Sequence, residues 1–147
     1  MEYGSIEREI HVDASPEVVF EVVSSPEHIS QWWTDDAEFD TTPGAVGELV
    51  WGERAQVVPM TVVQAQPPRL FSFRWCYPDD DPADALLITF ELTPSGRGTT
   101  IRLTETGFRE KGWSAALLAE QYQEHCIGWD TYLPRLGDYL ARLVSSR

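Results

Sequence analysis

The last part of the chain carries an apolar stripe that a long helix would place on one face. Its members are spaced alternately four and three residues apart, which is the period of an amphipathic α-helix. They are Tyr122, Cys126, Trp129, Leu133, Leu136, Leu140 and Leu143. Pro134 interrupts the pattern, so we expect it to kink the helix or to split it near residues 130–132. A stripe of this length must be buried against another layer of structure.

The middle of the chain supplies that layer as short strand-like runs separated by turn residues. The runs cover residues 38–40, 48–51, 56–64, 69–77, 86–93 and 99–105. The connections between them are rich in Pro and Gly and are too short for the helix that a parallel crossover needs. With a first strand at residues 6–12, they predict one antiparallel sheet of about seven strands.

Two helix-start signals follow the first strand. Ser15-Pro16-Glu17 and Ser25-Pro26-Glu27 each combine a hydroxyl cap, a proline at the first helical position and a carboxylate in the first turn. They predict short helices at residues 16–23 and 26–33. The whole pattern predicts an α+β fold in which one curved sheet wraps around the last helix, as a single domain over residues 1–147.

The charge of the chain restricts its partners. The 147 residues carry a net charge of −13, which argues against binding to nucleic acid or to an anionic membrane. No apolar run approaches the roughly 18 residues that cross a bilayer, and the start lacks the features of a signal peptide. We therefore expect a cytoplasmic protein.

Motifs for metals and cofactors are not indicated. Cys76 and Cys126 are far apart and lack a metal-ligand or CxxC spacing. The acidic run Asp79–Asp81 with Asp84 lacks the glycine and the distal glutamate of a calcium loop, so we interpret it as a solvated loop. The glycines at 44 and 47 are not followed by a helix start, as a phosphate site would require. We expect no metal and no cofactor.

Aromatic side chains are the best candidates for a ligand site. The chain has six tryptophans, and four of them fall on segments that should border the interior. Aromatic walls with a few polar groups are typical of small-molecule pockets, although such residues at strand or helix period are more often core. The predicted ligand-binding residues are Trp33, Trp51, Phe71, Phe73, Trp75, Tyr122, Cys126, Trp129 and Leu133.

Two local alternatives accompany that prediction. On the strand from Phe71 to Trp75 either the aromatic side chains or Ser72 and Arg74 face inward, and we expect the aromatics inside and Arg74 outside or at the rim. Trp32 and Trp33 point about 100° apart on a helix, so one should pack in the core and the other should face the pocket mouth or solvent.

Polar groups that could do chemistry are few. His125 lies beside the helical stripe and could offer an imidazole, but a histidine at a helix flank is more often solvated or locally hydrogen-bonded. Tyr122 suits ligand contact better than catalysis, and Cys126 is most simply a small core residue. Glu105 and Asp35 are the remaining acids near the expected mouth. We assign no catalytic residue.

Several motifs, taken in their order along the chain, resemble the Hsp90-ATPase-activator-homologue group of the START-like superfamily, also called SRPBCC or polyketide cyclase/Bet v 1-like. They are residues 14–20, Pro26-Glu27-His28, Trp32-Trp33, residues 67–70, Phe73-Arg74-Trp75, residues 104–108, Gly128-Trp129 and residues 133–140. The resemblance covers essentially the whole chain. It implies a helix-grip fold with a cavity between the long helix and the sheet. It does not imply one activity, because relatives bind lipids, hormones or polyketides and some catalyse cyclisation.

The leading functional interpretation is a binding module for a small hydrophobic ligand. Through Met60 there are 13 acidic and 2 basic side chains, against 11 and 9 in the remainder, so an approach near Trp33 would favour a neutral or cationic ligand. One alternative is a cyclase- or hydrolase-type enzyme acting in the same cavity, which would need a positioned acid or base. Another is a chaperone-associated partner domain, and the sequence also leaves a homodimer open.

Overall fold

The chain forms one antiparallel sheet and three α-helices, in a computed structural model that describes residues 4–75 and 85–145. The strands are β1 (Ser5–Val12), β2 (Asp36–Glu38), β3 (Val46–Trp51), β4 (Gln56–Gln66), β5 (Leu70–Trp75), β6 (Leu86–Ser95) and β7 (Gly98–Thr106). The helices are α1 (Pro16–Ser24), α2 (Pro26–Trp32) and α3 (Ala115–Ser145), with a 3-10 turn at Arg109–Lys111. None of the helices in the described ranges combines the length and apolar character needed to cross a membrane.

The strand order confirms the predicted architecture. The seven strands are arranged β1-β7-β6-β5-β4-β3-β2, and each neighbouring pair is antiparallel. The curved sheet and the long C-terminal helix make up the α+β helix-grip fold that the sequence predicts. The strand placed at residues 38–40 is wrong by two positions, because Asp36 to Glu38 pair with β3. Cys76, Tyr77 and the acidic loop at residues 78–84 lie outside the described residues.

Helix α3 runs through Pro134 without being split, so of the two predicted alternatives the split is wrong. The kink stays a prediction. A proline inside a helix costs about 3 kcal/mol. The turns on either side of it bury Trp129, Leu133, Leu136 and Leu140. Each large apolar side chain that is fully buried contributes about 1.5–3 kcal/mol, so this packing offsets the cost of the proline.

Polar contacts fix α3 on the sheet and on α2. The Tyr122 hydroxyl donates to the Ser5 carbonyl at 2.7 Å, and Arg8 Nε donates to Asp130 Oδ1 at 2.7 Å. Further along, a hydrogen bond of 2.7 Å joins Tyr139 to His28 of α2. The helix is thereby held to β1 at residues 122 and 130, which places the intervening turns over the sheet.

Two glycines provide a test of the packing between β1 and β7. A Cβ at Gly98 would collide with the Val12 carbonyl and the Asp13 backbone, whereas a Cβ at Gly137 of α3 would meet nothing within 4 Å. We expect Gly98→Ala to lower the free energy of unfolding by about 1–3 kcal/mol. Gly137→Ala should raise it by about 0.5–1 kcal/mol. Urea unfolding followed by circular dichroism measures both, and a Gly98→Ala protein as stable as the wild type would contradict the described β1–β7 contact.

Candidate functional site

A cleft of about 380 Å³ lies between α3 and the strands β3, β4 and β5. Its aromatic lining residues are Trp33, Trp51, Trp75, Trp129 and Tyr132. Its other described lining residues are Gln56, Glu124, His125 and Gly128. The cleft is therefore an aromatic surface with few polar groups.

Trp33 is the centre of the aromatic lining. Its ring centroid lies 5.2 Å from that of Trp129, 5.4 Å from that of Trp75 and 5.8 Å from that of Trp51. The corresponding angles between ring planes are 38°, 63° and 76°, so the rings meet mainly at an angle and do not form a parallel stack. Edge and tilted contacts of this kind add about 0.5–1.5 kcal/mol each to the gain from burial. The four rings form one mutually supporting cluster, which we call the tryptophan cluster.

The end of α2 places Trp33 in that cluster. Trp33 directly follows the helix and donates its backbone N–H to the Ile29 carbonyl at 2.9 Å. Trp32, one residue earlier, packs in the core and donates its indole N–H to the Val22 carbonyl at 3.3 Å. Both tryptophans are buried, with 2% and 6% of their surface exposed, so the predicted division into a core residue and an outward-facing residue is not found. Trp33 differs from Trp32 in that it also borders the cleft.

Asp35 holds the turn that follows Trp51. Its side chain accepts a hydrogen bond from the backbone N–H of Gly52, and its backbone N–H donates to the Val50 carbonyl at 2.9 Å. These contacts tie the segment after α2 to the end of β3. These contacts indicate that Asp35 holds Trp51 beside Trp33.

Glu105 of β7 is a fully buried carboxylate directly behind the cleft lining. Its side chain has no exposed surface. The Trp129 indole N–H donates to Oε1 at 2.8 Å, and the Trp75 indole N–H donates to Oε2 at 2.9 Å. Nδ1 of His125 lies 3.0 Å from Oε1 and 3.1 Å from Oε2. Three side chains of the cleft thus converge on one carboxylate.

The surroundings of Glu105 within the sheet are apolar. It lies opposite Ile6 of β1 and Ile88 of β6, and both isoleucines are fully buried. A carboxylate in such a place is costly unless it is hydrogen-bonded, because it loses its hydration. Hydrogen bonds to a charged group contribute about 1.5–3 kcal/mol each, and Glu105 has such bonds from β5 and α3.

The donors around Glu105 determine which nitrogen of the His125 ring carries the proton. An indole N–H can only donate, so both oxygens of Glu105 act as acceptors. We therefore assign the His125 proton to Nδ1, where it forms the third donor to the carboxylate. Within the described residues, Nε2 of the same ring has no hydrogen-bond partner. It is not one of the fully buried side-chain atoms that lack a partner. That nitrogen belongs to a side chain that lines the cleft.

Sequence reasoning named Glu105 only as an acid near the mouth and did not identify it as the centre of the site. The expected solvated or local environment of His125 is also wrong, because its side chain is 10% exposed and is paired to another element. The signal in the sequence was the alternation of β7. Ile101 and Leu103 face inward, and the same period of two places Glu105 on that face.

The predicted ligand-binding residues fall into three groups. Trp33, Trp51, Trp75 and Trp129 line the cleft together. Phe71, Phe73 and Leu133 are buried in the core at 0%, 0% and 3% exposure and are absent from the described lining. Tyr122 and Cys126 are partly buried on the earlier turns of α3 and are also absent from it.

The strand β5 has the predicted orientation for its large side chains. Phe71 and Phe73 face the core, and Arg74 is exposed. Ser72 is buried as well, so both faces of β5 are covered at that position.

On α3, burial raises the pKa of the Tyr122 phenol, which keeps the hydroxyl protonated as a donor to Ser5. The hydroxyl is therefore used within the protein, and the predicted ligand contact of Tyr122 stays a prediction.

A larger depression of about 770 Å³ lies along β2, β3 and β4, at the edge of the sheet that β2 forms. Its described lining contains one aromatic residue, Phe39, and three acidic ones, Glu38, Asp40 and Glu48. It lacks the convergence of aromatic and polar groups that characterises small-molecule sites. The smaller tryptophan-lined cleft is therefore the better candidate.

Comparison with protein families gives one assignment. The model described as "Activator of Hsp90 ATPase homolog 1-like protein" matches residues 13–141. No curated protein matches the sequence.

Solved structures show the same fold. The protein MLL2253 from Mesorhizobium loti has a TM-score of 0.80 and 24% identity, over 94% of this chain and 97% of that one. DynU16, a protein in the dynemicin biosynthetic locus, has a TM-score of 0.75 and 21% identity, over 94% of this chain and 47% of that one. The Aha1 dimer from Colwellia psychrerythraea has a TM-score of 0.72 and 19% identity, over 92% and 95%. At these identities the similarity shows the fold alone.

The Glu105 network makes a prediction about stability. In Glu105→Gln an amide N–H₂ replaces one acceptor oxygen and faces a group that can only donate, so one hydrogen bond is lost inside an apolar site. We expect the free energy of unfolding to fall by about 3 kcal/mol. Glu9→Gln is the control, since Glu9 is exposed on β1 and its change should stay within about 0.5 kcal/mol. Equal stabilities of the two variants in urea unfolding would contradict the buried network.

Proposed function

Because the chain belongs to the family of activator of Hsp90 ATPase homolog 1-like proteins, we propose that it is a ligand-binding module whose tryptophan-lined cleft takes a small, largely apolar molecule. Family membership supports ligand binding in general terms. The observation that carries the specific proposal is the tryptophan cluster, whose four packed rings all line the cleft.

The dimensions of the cleft support a small ligand. Its volume of about 380 Å³ lies toward the lower end of the range of small-molecule sites. The interior beneath it is filled, since Phe73, Phe90 and Leu133 are almost completely buried. A compact molecule with one or two fused rings suits this cleft better than a long acyl chain does.

Charge supports a neutral or cationic ligand. Glu124 is an exposed acidic residue on the rim, and the described lining contains no Lys or Arg. A cation over the face of a tryptophan ring gains about 0.5–2 kcal/mol. A carboxylate ligand would instead meet the charge of Glu124 and would find no basic partner among these lining residues.

The other interpretations remain predictions with less support. A chaperone-associated role is suggested by the family description. A homodimer is suggested by one similar structure, which is described as a dimer. Sedimentation velocity across a concentration series would test the homodimer directly.

Three naphthalene derivatives that differ in their terminal group test the binding proposal. They are 1-naphthylethylamine as the cation, 1-naphthaleneethanol as the neutral compound and 1-naphthalenepropanoate as the anion. We expect the first two to bind at least about tenfold more tightly than the third, a difference of about 1.4 kcal/mol. Isothermal titration calorimetry measures each affinity. Tightest binding of the anion would overturn the charge preference, and no binding of any compound would overturn the proposal.

A pair of tryptophan variants locates the binding. Trp51→Leu removes one partly buried wall of the cleft and should weaken the amine by about tenfold. Trp113→Leu is the matched control, because Trp113 is also partly buried but packs near Lys111, outside the described cleft lining. The same titration measures both, and equal weakening in the two variants would show that the ligand binds elsewhere.

A further inference from the structure

The cleft is lined by a histidine whose Nε2 has no hydrogen-bond partner among the described residues. We propose that His125 is a general base, which takes a proton through Nε2 from an acidic C–H group of a small molecule in the cleft, with Glu105 as its positioning residue. This inference rests on the proposed function in one respect, since the substrate has to enter the same cleft.

The geometry of His125 is that of an oriented base. Its Nδ1 is held at 3.0 and 3.1 Å from the two oxygens of Glu105, so the rotation of the ring and its tautomer are both fixed. The rings of Trp75 and Phe108 pack against it, with centroids at 5.7 and 5.3 Å. A base that is fixed by a carboxylate on one nitrogen keeps the other nitrogen for the substrate.

Glu105 is arranged to support a positive imidazolium ring. The indole N–H groups of Trp75 and Trp129 hold its two oxygens, so the carboxylate remains in place when the charge of His125 changes. Both oxygens of Glu105 face Nδ1 of the ring that takes up the proton on Nε2, at 3.0 and 3.1 Å.

The proposed reaction is proton abstraction from carbon, which a base on the wall of an aromatic cleft can carry out. The C–H electron pair of a carbon next to a carbonyl group becomes the carbon–carbon double bond of an enolate, and the carbonyl π electrons move to its oxygen. The substrate proton moves to Nε2. The proton on Nδ1 stays there and remains hydrogen-bonded to Glu105. The substrates are therefore small, flat, enolisable carbonyl compounds or other carbon acids of similar shape, and the proton can return to carbon or oxygen.

A chromogenic carbon acid tests the base without knowledge of the natural substrate. When the C3 proton of 5-nitrobenzisoxazole is removed, the C–H electron pair forms the third bond of a nitrile. The N–O bond breaks in the same step, and its electron pair goes to the oxygen of a coloured phenolate. We expect the wild-type protein to accelerate this elimination at least about 10²-fold over the same concentration of 4-methylimidazole. The 3-methyl analogue lacks the proton and reports binding alone, by calorimetry.

A histidine pair provides the matched variants. His125→Asn keeps an N–H donor near the position of Nδ1 and so preserves the Glu105 network, but it removes Nε2. His28→Asn is the control, because His28 also uses Nδ1 for one hydrogen bond, to Tyr139, and is absent from the described cleft lining. His125→Asn should lose at least about 10²-fold in kcat/KM, with unchanged affinity for the methyl analogue. His28→Asn should keep the wild-type rate.

Glu105→Gln tests the positioning role at a temperature where circular dichroism shows a folded protein. It should lower kcat about tenfold or more while the affinity for the methyl analogue stays within about twofold, which a loss of structure alone would not produce. Binding of the analogue without faster elimination, or equal rates in His125→Asn and the wild type, would overturn this inference and leave the binding proposal standing. Absence of both binding and elimination would overturn both.

Discussion

The structure of the site depends on the burial of one carboxylate. Glu105 lies on the inner face of β7 between two buried isoleucines, where an unpaired charge would cost several kcal/mol. Its donors come from β5 and from two successive turns of α3. The four-residue spacing of His125 and Trp129 places both on one face of the helix. Glu105 therefore joins the sheet to the helix through directional bonds, whereas apolar packing alone would leave the position of the helix less strictly defined.

This network also determines the form of the cleft. The indole N–H groups of Trp75 and Trp129 are bound to Glu105, so the polar edges of both rings are satisfied within the protein. What these rings add to the cleft lining is mainly apolar surface, and Trp33 contacts both of them. Among the described residues of this network, Nε2 of His125 is the ring nitrogen that has no hydrogen-bond partner. The consequence is an aromatic cleft lined by a histidine whose ring orientation the network fixes.

Much of the fold could be predicted from local patterns. The four-three spacing of the apolar residues in α3, the Ser-Pro-Glu starts of α1 and α2, and the short connections between strands each depend on neighbouring residues. The continuity of α3 through Pro134 could not be predicted in this way, because it depends on burial against a sheet formed by distant residues. For the same reason β2 was misplaced, since its register is set by pairing with β3.

The site was only partly predictable. The four tryptophans were recognisable as candidates, but Phe71, Phe73 and Leu133 have the same apolar character, and only the packing separates core from cleft. The sequence does not identify Glu105 as the centre of the site, because a glutamate near the end of a strand is usually solvated. Its donors are also 20, 24 and 30 residues away in sequence. Such convergence is visible only in three dimensions.

The most direct test of the account is a crystal structure of the complex with the 3-methyl analogue of 5-nitrobenzisoxazole. The account predicts electron density for the ring system against Trp33 and Trp51, within about 4 Å of their side chains, with its C3 position next to His125 Nε2. Density in the depression beside Phe39, or a cleft closed by its tryptophans while the ligand binds elsewhere, would contradict it.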